Sequence, residues 1–557
     1  MNEAIPLTNL LSDDGPDLIT HDFQQGDPRG LIPGHFTVVG KLVHWQGGPS
    51  FLSVTVVLDA SQEVLPGQML AVWHGARARN LLSAVQVVDC VEVNPNEDPT
   101  LAVPRERLGI GIGYAKEGQS TRIFRLATCE VLEEFTVSDI LDPRLEILSV
   151  EAPQSLTRAG DFAFLLPPAM AHATINSDPD PDGGLHMGKT LGGESIEVTL
   201  TPQVLQMHVG VFGNPGKGKS YASGVLLEEA HRWGVPILAI DVNGEMVEAA
   251  KSLGGLTITL PDSDQFGLSL NLLTPTELSY ITPNVKSGTQ YAELIEGAHE
   301  ELLSSIGRKQ EITFQDLLDK IQELGPKLDL KKASVGAALA RVRMLSNDRL
   351  IGRGFDFIPT LIEKKIVVLD CRYLTLRQTQ LITATAARVL QKYGKEMARQ
   401  AEEGEDPASR EKGAAWFSLL FVDEAHAVAP ASDDVVSTQV LYELARMGRH
   451  VRTGLVLSSQ SPADLDSSIL KRLQTRLIFS LERDQLRAIS GVTADLNEKI
   501  LAQLPKLSRG VCAVSGTSEL IRHGFLLRIK KRSTPVGGTT PPIFARRQKA
   551  DLKGGTP

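Results

Sequence analysis

The sequence predicts an α/β fold with a mainly parallel sheet and a helical insertion, preceded by a small N-terminal β-barrel. From about Leu205 to Ile529, apolar runs such as VPILAID, KIVVLDC, SLLFVDEA and GLVLSSQ alternate with helical patterns. This order is typical of a parallel sheet flanked by helices. From Gly34 to about Phe135, short runs such as FTVVGKLVHW and FRLATCEVLEEF are separated by Pro-Gly and Gly-Gly turns. Their spacing indicates a small barrel or sandwich.

Composition along the chain predicts four segments, the third of which contains an insertion. Residues 1–33 are rich in Asp, Pro and Gly and are expected to be a flexible leader, and 34–175 hold the barrel and a linker. Residues 185–529 hold the α/β core, following the breaker-rich stretch NSDPDPDGG. The runs YAELIEGAHEELLSSI and TFQDLLDKIQEL predict a helical insertion over about 289–356. Residues 530–557 are a basic arm, which is either a flexible end or a clasp for a neighbour.

Composition also bounds the function. The 557 residues carry a net charge of −10, so the surface as a whole does not attract nucleic acid, although a channel could still be locally basic. The four cysteines are scattered and form no C-x-x-C pair, which argues against a zinc site or a disulfide framework. There is no signal-peptide pattern and no long apolar run, so we expect a cytoplasmic protein without a membrane span.

The most informative motif is a phosphate-binding loop that fits G-x-x-x-x-G-K-[ST]. An apolar strand, MHVGVF, precedes it and a helical pattern follows it. Glycines let backbone N–H groups approach anionic oxygens, and the helix N-terminus adds partial positive charge. Lys219 can reach the β- and γ-phosphates of ATP, and Ser220 can ligate Mg²⁺. The predicted nucleotide-binding residues are Gly213, Asn214, Pro215, Gly216, Lys217, Gly218, Lys219, Ser220 and Tyr221.

A second motif, SLLFVDEAH, predicts the acidic half of the site. Four apolar residues form a buried strand, and Asp423 and Glu424 stand at its carboxyl end, where active groups gather in open α/β sheets. We expect Asp423 to hold Mg²⁺ together with Ser220, and Glu424 to orient and deprotonate the attacking water. Solvated acids at the start of a helix are the structural alternative.

Further polar residues follow the neighbouring strands. Gln460 ends the strand LVLSS, where an amide could sense the γ-phosphate. The intervening run LYELARMGRHVRTG carries three arginines that could stabilise phosphoryl charge or could equally be solvated: Arg446, Arg449 and Arg452. The turn Asp241–Glu245 follows VPILAI and places further carboxylates near the same sheet edge, unless it serves only as a helix cap.

Taken together, the series HVGVFGNPGKGKS, AIDVNGE, LLFVDEAH, RMGRH and LVLSSQSPADL resembles the HerA/FtsK branch of the P-loop ATPases, and HerA closely. The resemblance implies a RecA-like ATPase core, a barrel of the HAS type, and ATP with Mg²⁺ as cofactors. It assigns Lys219 and Ser220 to the Walker A motif, Asp423 and Glu424 to Walker B, and Gln460 to the sensor. Arg449 matches an arginine that acts across the subunit boundary. Met207 stands where archaeal members often carry a second arginine.

The resemblance implies a homohexameric ring that translocates along double-stranded DNA, working with a nuclease partner such as NurA in DNA-end resection. An alternative is an ATPase scaffold that assembles and activates an anti-phage effector, either a nuclease or a sirtuin-like NADase. A second alternative is an ATPase that remodels proteins. Arg372 and Arg377, after the strand IVVLDC, are candidates for DNA contacts on placement alone.

Overall fold

The structure is a computed structural model that describes residues 36–43, 49–59, 62–75, 78, 80–93, 124–140, 142, 145–192, 195–305, 311–352, 354–404, 406–448, 450–517 and 519–537. The chain divides into two compact units: residues 1–202, 475–486 and 490–530 form the first, and 203–474, 487–489 and 531–557 form the second. The first unit thus includes residues 185–202, which the predicted boundaries place with the core; those boundaries stay predictions. The predicted leader lies outside the described residues, as does the basic arm beyond residue 537.

The described residues contain these strands: β1 Val38–Val43, β2 Ser53–Leu58, β3 Met69–Trp73, β4 Leu81–Val93, β5 Phe124–Val137, β6 Ile147–Glu151, β7 Phe162–Leu165, β8 Leu185–Thr190, β9 Glu197–Leu200, β10 Val209–Phe212, β11 Ile237–Asp241, β12 Leu256–Thr259, β13 Ile366–Asp370, β14 Ser418–Val422, β15 Thr453–Ser459, β16 Thr475–Ile478, β17 Val511–Gly516 and β18 Phe525–Ile529.

The α-helices of the same residues are α1 Pro168–Ile175, α2 Gln203–Gln206, α3 Lys219–Arg232, α4 Val247–Ser252, α5 Pro275–Ile281, α6 Gln290–Ser305, α7 Phe314–Lys327, α8 Lys332–Leu345, α9 Phe357–Lys364, α10 Leu376–Glu403, α11 Pro407–Ala415, α12 Ala425–Val428, α13 Val436–Met447, α14 Ser467–Leu470, α15 Arg483–Ser490 and α16 Glu498–Gln503.

A closed antiparallel barrel forms the first part of the first unit. Its strand order is β2-β1-β7-β3-β4-β5, and pairing of β2 with β5 closes the ring, while β6 adds to the outer edge of β5. Closure removes the free edges at which another chain could pair. The interior is filled by alternate apolar residues of these strands, including Val39, Leu70 and Val85. The register shifts between Ala84 and Val85 and again between Val87 and Asp89, and such bulges bend a long strand around a barrel.

Antiparallel strands with the order β16-β17-β18-β8-β9 complete the first unit. The strands β16 to β18 come from sequence well after the barrel, so this unit is assembled from distant parts of the chain.

A parallel sheet with the order β12-β13-β11-β14-β15-β10 forms the centre of the second unit. The strands β10, β11, β13, β14 and β15 are buried along their whole length, which explains why they appear as uninterrupted apolar runs. Helices α6, α7 and α8 pack together over the range in which a helical insertion was predicted. The predicted fold class, an α/β core preceded by a small β-barrel, is therefore confirmed. Of the two architectures considered for the N-terminal strands, the structure has the barrel and not the sandwich.

None of the helices in the described ranges combines the length and the apolar character that a bilayer crossing requires.

Candidate functional site

The strand order of the parallel sheet brings the predicted site residues to one edge. The carboxyl ends of β10, β15, β14 and β11 are neighbours in the sheet. The phosphate loop follows β10, Gln460 follows β15, the pair Asp423 and Glu424 follows β14, and the turn Asp241–Glu245 begins at the end of β11. Ligand sites in α/β sheets form at this edge because the loops leave the strands there.

The phosphate loop has backbone geometry that requires glycine. Gly216 has φ 75° and Gly218 has φ 120°, and other residues rarely adopt such angles. Gly218 is also the residue before helix α3, and no side chain caps the first turn of that helix. The N–H groups of this turn are therefore available to an anion, and the helix dipole favours negative charge at the same place.

Lys219 is buried beside the acidic pair. Its Nζ lies 3.1 Å from Asp423 Oδ1, 3.5 Å from Glu424 Oε1 and 3.0 Å from Ser458 Oγ. Burial alone would lower the pKa of Lys219, but the surrounding carboxylates outweigh it and raise the pKa. Lys219 is therefore charged, and it neutralises part of the negative charge that Asp423 and Glu424 bring to the site.

Glu424 is held through one carboxylate oxygen, while the other makes no hydrogen bond. Oε1 accepts hydrogen bonds from Asn243 Nδ2 at 3.0 Å and from Gln460 Nε2. Oε2 is buried without a hydrogen-bond partner and lies 3.4 Å from His426 Nδ1. The backbone of Glu424 is left-handed, with φ 48°, which is strained for this residue and is found most often at functional sites. This arrangement suits a general base whose second oxygen receives a proton from water.

The residues present fit a magnesium ion that is completed by a nucleotide. Within the described part of the chain, no cluster of three or more His, Cys, Asp or Glu side chains could hold a metal by itself. Mg²⁺ in nucleotide sites is commonly bound by one or two protein oxygens together with the phosphates. Ser220 and Asp423 would supply those oxygens, since Asp423 lies beside Lys219 of the loop and Ser220 follows it. Bound Mg²⁺ would neutralise the charge that develops on the phosphates.

The turn after β11 supplies a residue that the sequence did not single out. Asn243 donates to Asp423 Oδ2 at 3.3 Å as well as to Glu424, so it fixes both acids. Asp241 in turn shapes this turn by accepting the backbone N–H groups of Gly244, Glu245 and Met246. Burial raises the pKa of Asp241 to about 6. Asn243 lies within the turn Asp241–Glu245, which the sequence already predicted near this sheet edge, and that prediction is the signal that could have revealed it.

The predicted arginines have different surroundings. Arg449 lies outside the described residues, and Arg446 is exposed at the end of α13. Arg452 donates from Nη1 to the Ala414 carbonyl at 2.9 Å, so its guanidinium contacts helix α11.

The two candidates for DNA contacts also differ. Arg372 forms a bidentate ion pair with buried Asp370 at 2.9 and 2.7 Å, and Arg377 is exposed near the Tyr280 carbonyl. Met207 is buried.

His208 lies directly before strand β10, and its buried ring contacts residues of neighbouring elements. Its Nδ1 accepts the N–H of Leu455 at 3.0 Å, and the Ala445 backbone favours the protonated form of the ring. Gly448 makes room for the ring, since a Cβ at that position would lie 2.1 Å from His208 Cε1. His208 thus joins β15 to the end of α13, which lies close to Arg449 in the sequence. Burial lowers its pKa to about 4.

Replacing His208 by Asn should reduce the loss of unfolding free energy that occurs as the pH falls from 7 to 4. The folded-state pKa of about 4 lies below the unfolded value of 6.5, so only the unfolded chain takes up a proton between these pH values. His208 thus removes about 3 kcal/mol of unfolding free energy as the pH falls from 7 to 4. Asn tolerates the φ of 66° at this position. Urea unfolding of wild type and His208→Asn at pH 7.5 and 4.5 measures the difference between the two slopes.

The control for this experiment is His450→Asn, which changes an exposed histidine of the turn after α13. The comparison between variants is needed because Asp241, with its raised pKa, changes stability in the opposite direction over the same range. Equal pH slopes for wild type and His208→Asn would contradict the prediction.

Comparison with known proteins finds similar sequences and structures. A sequence profile described as "Helicase HerA, central domain" matches residues 185–390. The DNA double-strand break repair helicase HerA of Sulfolobus acidocaldarius is 23% identical over 375 residues, 66% of this chain and 73% of that protein. The HerA of Pyrococcus furiosus is 21% identical over 531 residues, 87% and 91% of the two chains. Among solved structures, VirB4 of Thermoanaerobacter pseudethanolicus aligns with a TM-score of 0.46 at 16% identity, covering 64% of this chain and 99% of that one.

A phosphate loop, a buried lysine and an acidic pair at the carboxyl edge of a parallel sheet define an ATPase of the P-loop class. The family profile over residues 185–390 and the relatives confirm the resemblance to HerA that the sequence predicts. The roles of the individual site residues stay predictions that variants must test.

Proposed function

We propose that the chain is an ATP-driven translocase for double-stranded DNA that works as a homohexameric ring. The observation that supports this best is the convergence of Lys219, Asp423, Glu424 and Gln460 at one sheet edge, which is the arrangement that ATP hydrolysis requires. The relatives from Sulfolobus acidocaldarius and Pyrococcus furiosus are both named as DNA double-strand break repair helicases. ATP with Mg²⁺ is the proposed cofactor pair, bound by the loop from Gly213 to Tyr221 and by Asp423.

The distribution of positive charge supports a site that two subunits share. Across the described residues, no arginine forms an ion pair with Asp423 or Glu424. Phosphoryl transfer places charge on three oxygens, and a guanidinium is the usual group that stabilises it. We assign this role to Arg449 of a neighbouring subunit. Loss of the γ-phosphate would then release one subunit from the next and shift them relative to each other.

Linear double-stranded DNA should stimulate ATP hydrolysis in a salt-sensitive and nearly sequence-blind manner. A protein that grips six to ten phosphates loses about 10³–10⁵-fold in affinity between 50 and 200 mM salt, because bound counterions are released. Steady-state ATPase rates are measured against DNA concentration for two duplexes of unrelated sequence at both salt concentrations. Basal rates without DNA at the same salts are the control.

Absence of stimulation by any duplex would reject DNA as the substrate and favour the remodelling of proteins. Native mass measurement with and without nucleotide tests the hexamer, and a purely monomeric yet active protein would contradict the shared site. We further propose that a nuclease of the NurA kind works with the ring, because the named relatives act in double-strand break repair. Copurification with a partner but no movement along DNA would favour the effector-scaffold alternative instead.

A further inference from the structure

Residues 531–537, here called the strap, lie along helix α3 directly behind the phosphate loop. Glu228 of α3 accepts the backbone N–H groups of Ser533 at 3.1 Å and Thr534 at 2.7 Å, and the Thr534 hydroxyl at 2.6 Å. Burial alone would raise the pKa of Glu228, but these hydrogen bonds outweigh it and lower the pKa. One ionised carboxylate on α3 therefore fixes the strap in place.

Arg532 of the strap is buried against the first turn of α3. Its side chain is only 1% exposed, although arginine is almost never fully buried without a partner. Its backbone N–H donates to the Tyr221 hydroxyl at 2.5 Å, and its Nη1 lies 3.4 Å from the Ser220 carbonyl. Nε donates to Thr534 Oγ1 at 2.7 Å, and Glu228 is 3.8 Å away. Nη2 is buried with no hydrogen-bond partner.

Two glycines make room for the strap. A Cβ on Gly224 would lie 2.2 Å from Arg532 Cζ, so only glycine lets the guanidinium rest on the helix. Glycine inside a helix costs about 1 kcal/mol relative to alanine, which the seated arginine must offset. At the far end of the strap, a Cβ on Gly537 would lie 2.8 Å from the carbonyls of Gly244 and Glu245. The strap thus spans from the phosphate-loop helix to the turn after β11.

Charge links Arg532 to the proposed metal ligand. Glu245 interacts electrostatically with Asp423, Lys219 and the Ser220 side chain. The guanidinium of Arg532 attracts both Glu228 and Glu245. Without this cation, the negative charge of Glu245 near Ser220 would be less compensated. The Ser220 carbonyl would also lose its contact with Arg532 Nη1, which helps to fix the first turn of α3. Ser220 would then be less available to Mg²⁺.

We propose that Arg532 is a positioning residue of the nucleotide site, which orients Ser220 for Mg²⁺. The proposal rests on the proposed nucleotide site and adds to it a residue about 300 positions away in the sequence. Arg532 touches neither nucleotide nor metal; it acts through Ser220 and Glu245.

The test measures how Mg²⁺ promotes binding of a fluorescent ATP analogue to the full-length protein. In Arg532→Gln, the half-saturating Mg²⁺ concentration should rise about 10–100-fold, the usual effect of removing a group that supports a metal ligand. Binding in EDTA should match wild type, since Mg²⁺ is then absent from both. Arg532→Lys keeps the positive charge but lacks the planar guanidinium, so its Mg²⁺ requirement should lie between those of wild type and Arg532→Gln. Lys531→Gln, an exposed neighbour on the strap, is the matched control and should behave as wild type.

A second variant guards against loss of folding. Gly224→Ala leaves Arg532 in the chain but forces the guanidinium away, so it should raise the Mg²⁺ requirement in the same direction. In an Arg532→Ser background, Gly224→Ala should add nothing further, because the clash is gone. If Arg532→Gln and Gly224→Ala both match Lys531→Gln while Lys219→Ala abolishes binding, the role of Arg532 is rejected and the nucleotide site stands. If wild type binds no nucleotide at any Mg²⁺ concentration, the proposed site itself fails.

Discussion

Replacing Glu424 by Gln should lower kcat for ATP hydrolysis by about 10²–10⁴-fold, the range that a general base contributes. The structure makes this substitution specific. A glutamine can still accept the hydrogen bonds of Asn243 and Gln460 through its Oε1, so the surrounding contacts persist. What changes is Oε2, the oxygen without a hydrogen bond, which becomes an amide that cannot take a proton from water. Steady-state ATPase assays with saturating ATP measure the effect.

The matched control is Glu248→Gln, an exposed acid on α4, which should leave kcat unchanged. Binding of an ATP analogue should be nearly normal in Glu424→Gln, since Lys219 and the loop are untouched. A variant that hydrolyses ATP at the wild-type rate would reject Glu424 as the base.

Arg449→Ala should be the other variant with a very large effect, lowering ATP turnover by about 10³–10⁵-fold if the arginine stabilises phosphoryl charge. Because the group is proposed to act across a subunit boundary, two inactive variants should rescue each other. An Arg449→Ala subunit supplies an intact Glu424, and a Glu424→Gln subunit supplies an intact arginine. Random mixing in equal amounts makes about a quarter of head-to-tail interfaces competent. ATPase activity across mixing ratios should therefore peak near equal proportions.

Arg446→Ala, which changes an exposed arginine near the end of α13, is the control that should keep its activity. Mixed rings must be verified by native mass, and no rescue in verified mixed rings would count against action in trans. Full activity of Arg449→Ala by itself would remove this residue from the site.

Local pattern was enough to predict the fold class and the placement of the loop and the acids. The strands β10 and β14 are buried on both faces, so their apolar runs are continuous, and the loop motifs stand directly after them. Parallel strands then bring Lys219 and Asp423 together by geometry alone. These contacts depend on periodicity and on strand direction, both of which are visible in a single sequence.

Other features depend on packing between distant parts of the chain. Asn243 reaches the acidic pair only because β11 lies next to β14, and strand order is not contained in any local pattern. Arg452 was one of three equivalent candidates, but its guanidinium is occupied by the Ala414 carbonyl. Arg532 lies in a segment with the composition of a loose end, and arginine is normally exposed. Gly224, against which the Arg532 guanidinium packs, looks in the sequence like any other small residue of a helical segment.

The ammonium group of Lys219 forms ion pairs with Asp423 and Glu424 without a bound nucleotide. Arrival of a nucleotide therefore exchanges one set of negative neighbours for another at that nitrogen, instead of stripping water from a hydrated lysine. The net gain from this contact is the difference between two strong arrangements, and such differences are small. We therefore expect most of the binding free energy of a nucleotide to come from the N–H groups of the loop, which would favour release of the product after hydrolysis.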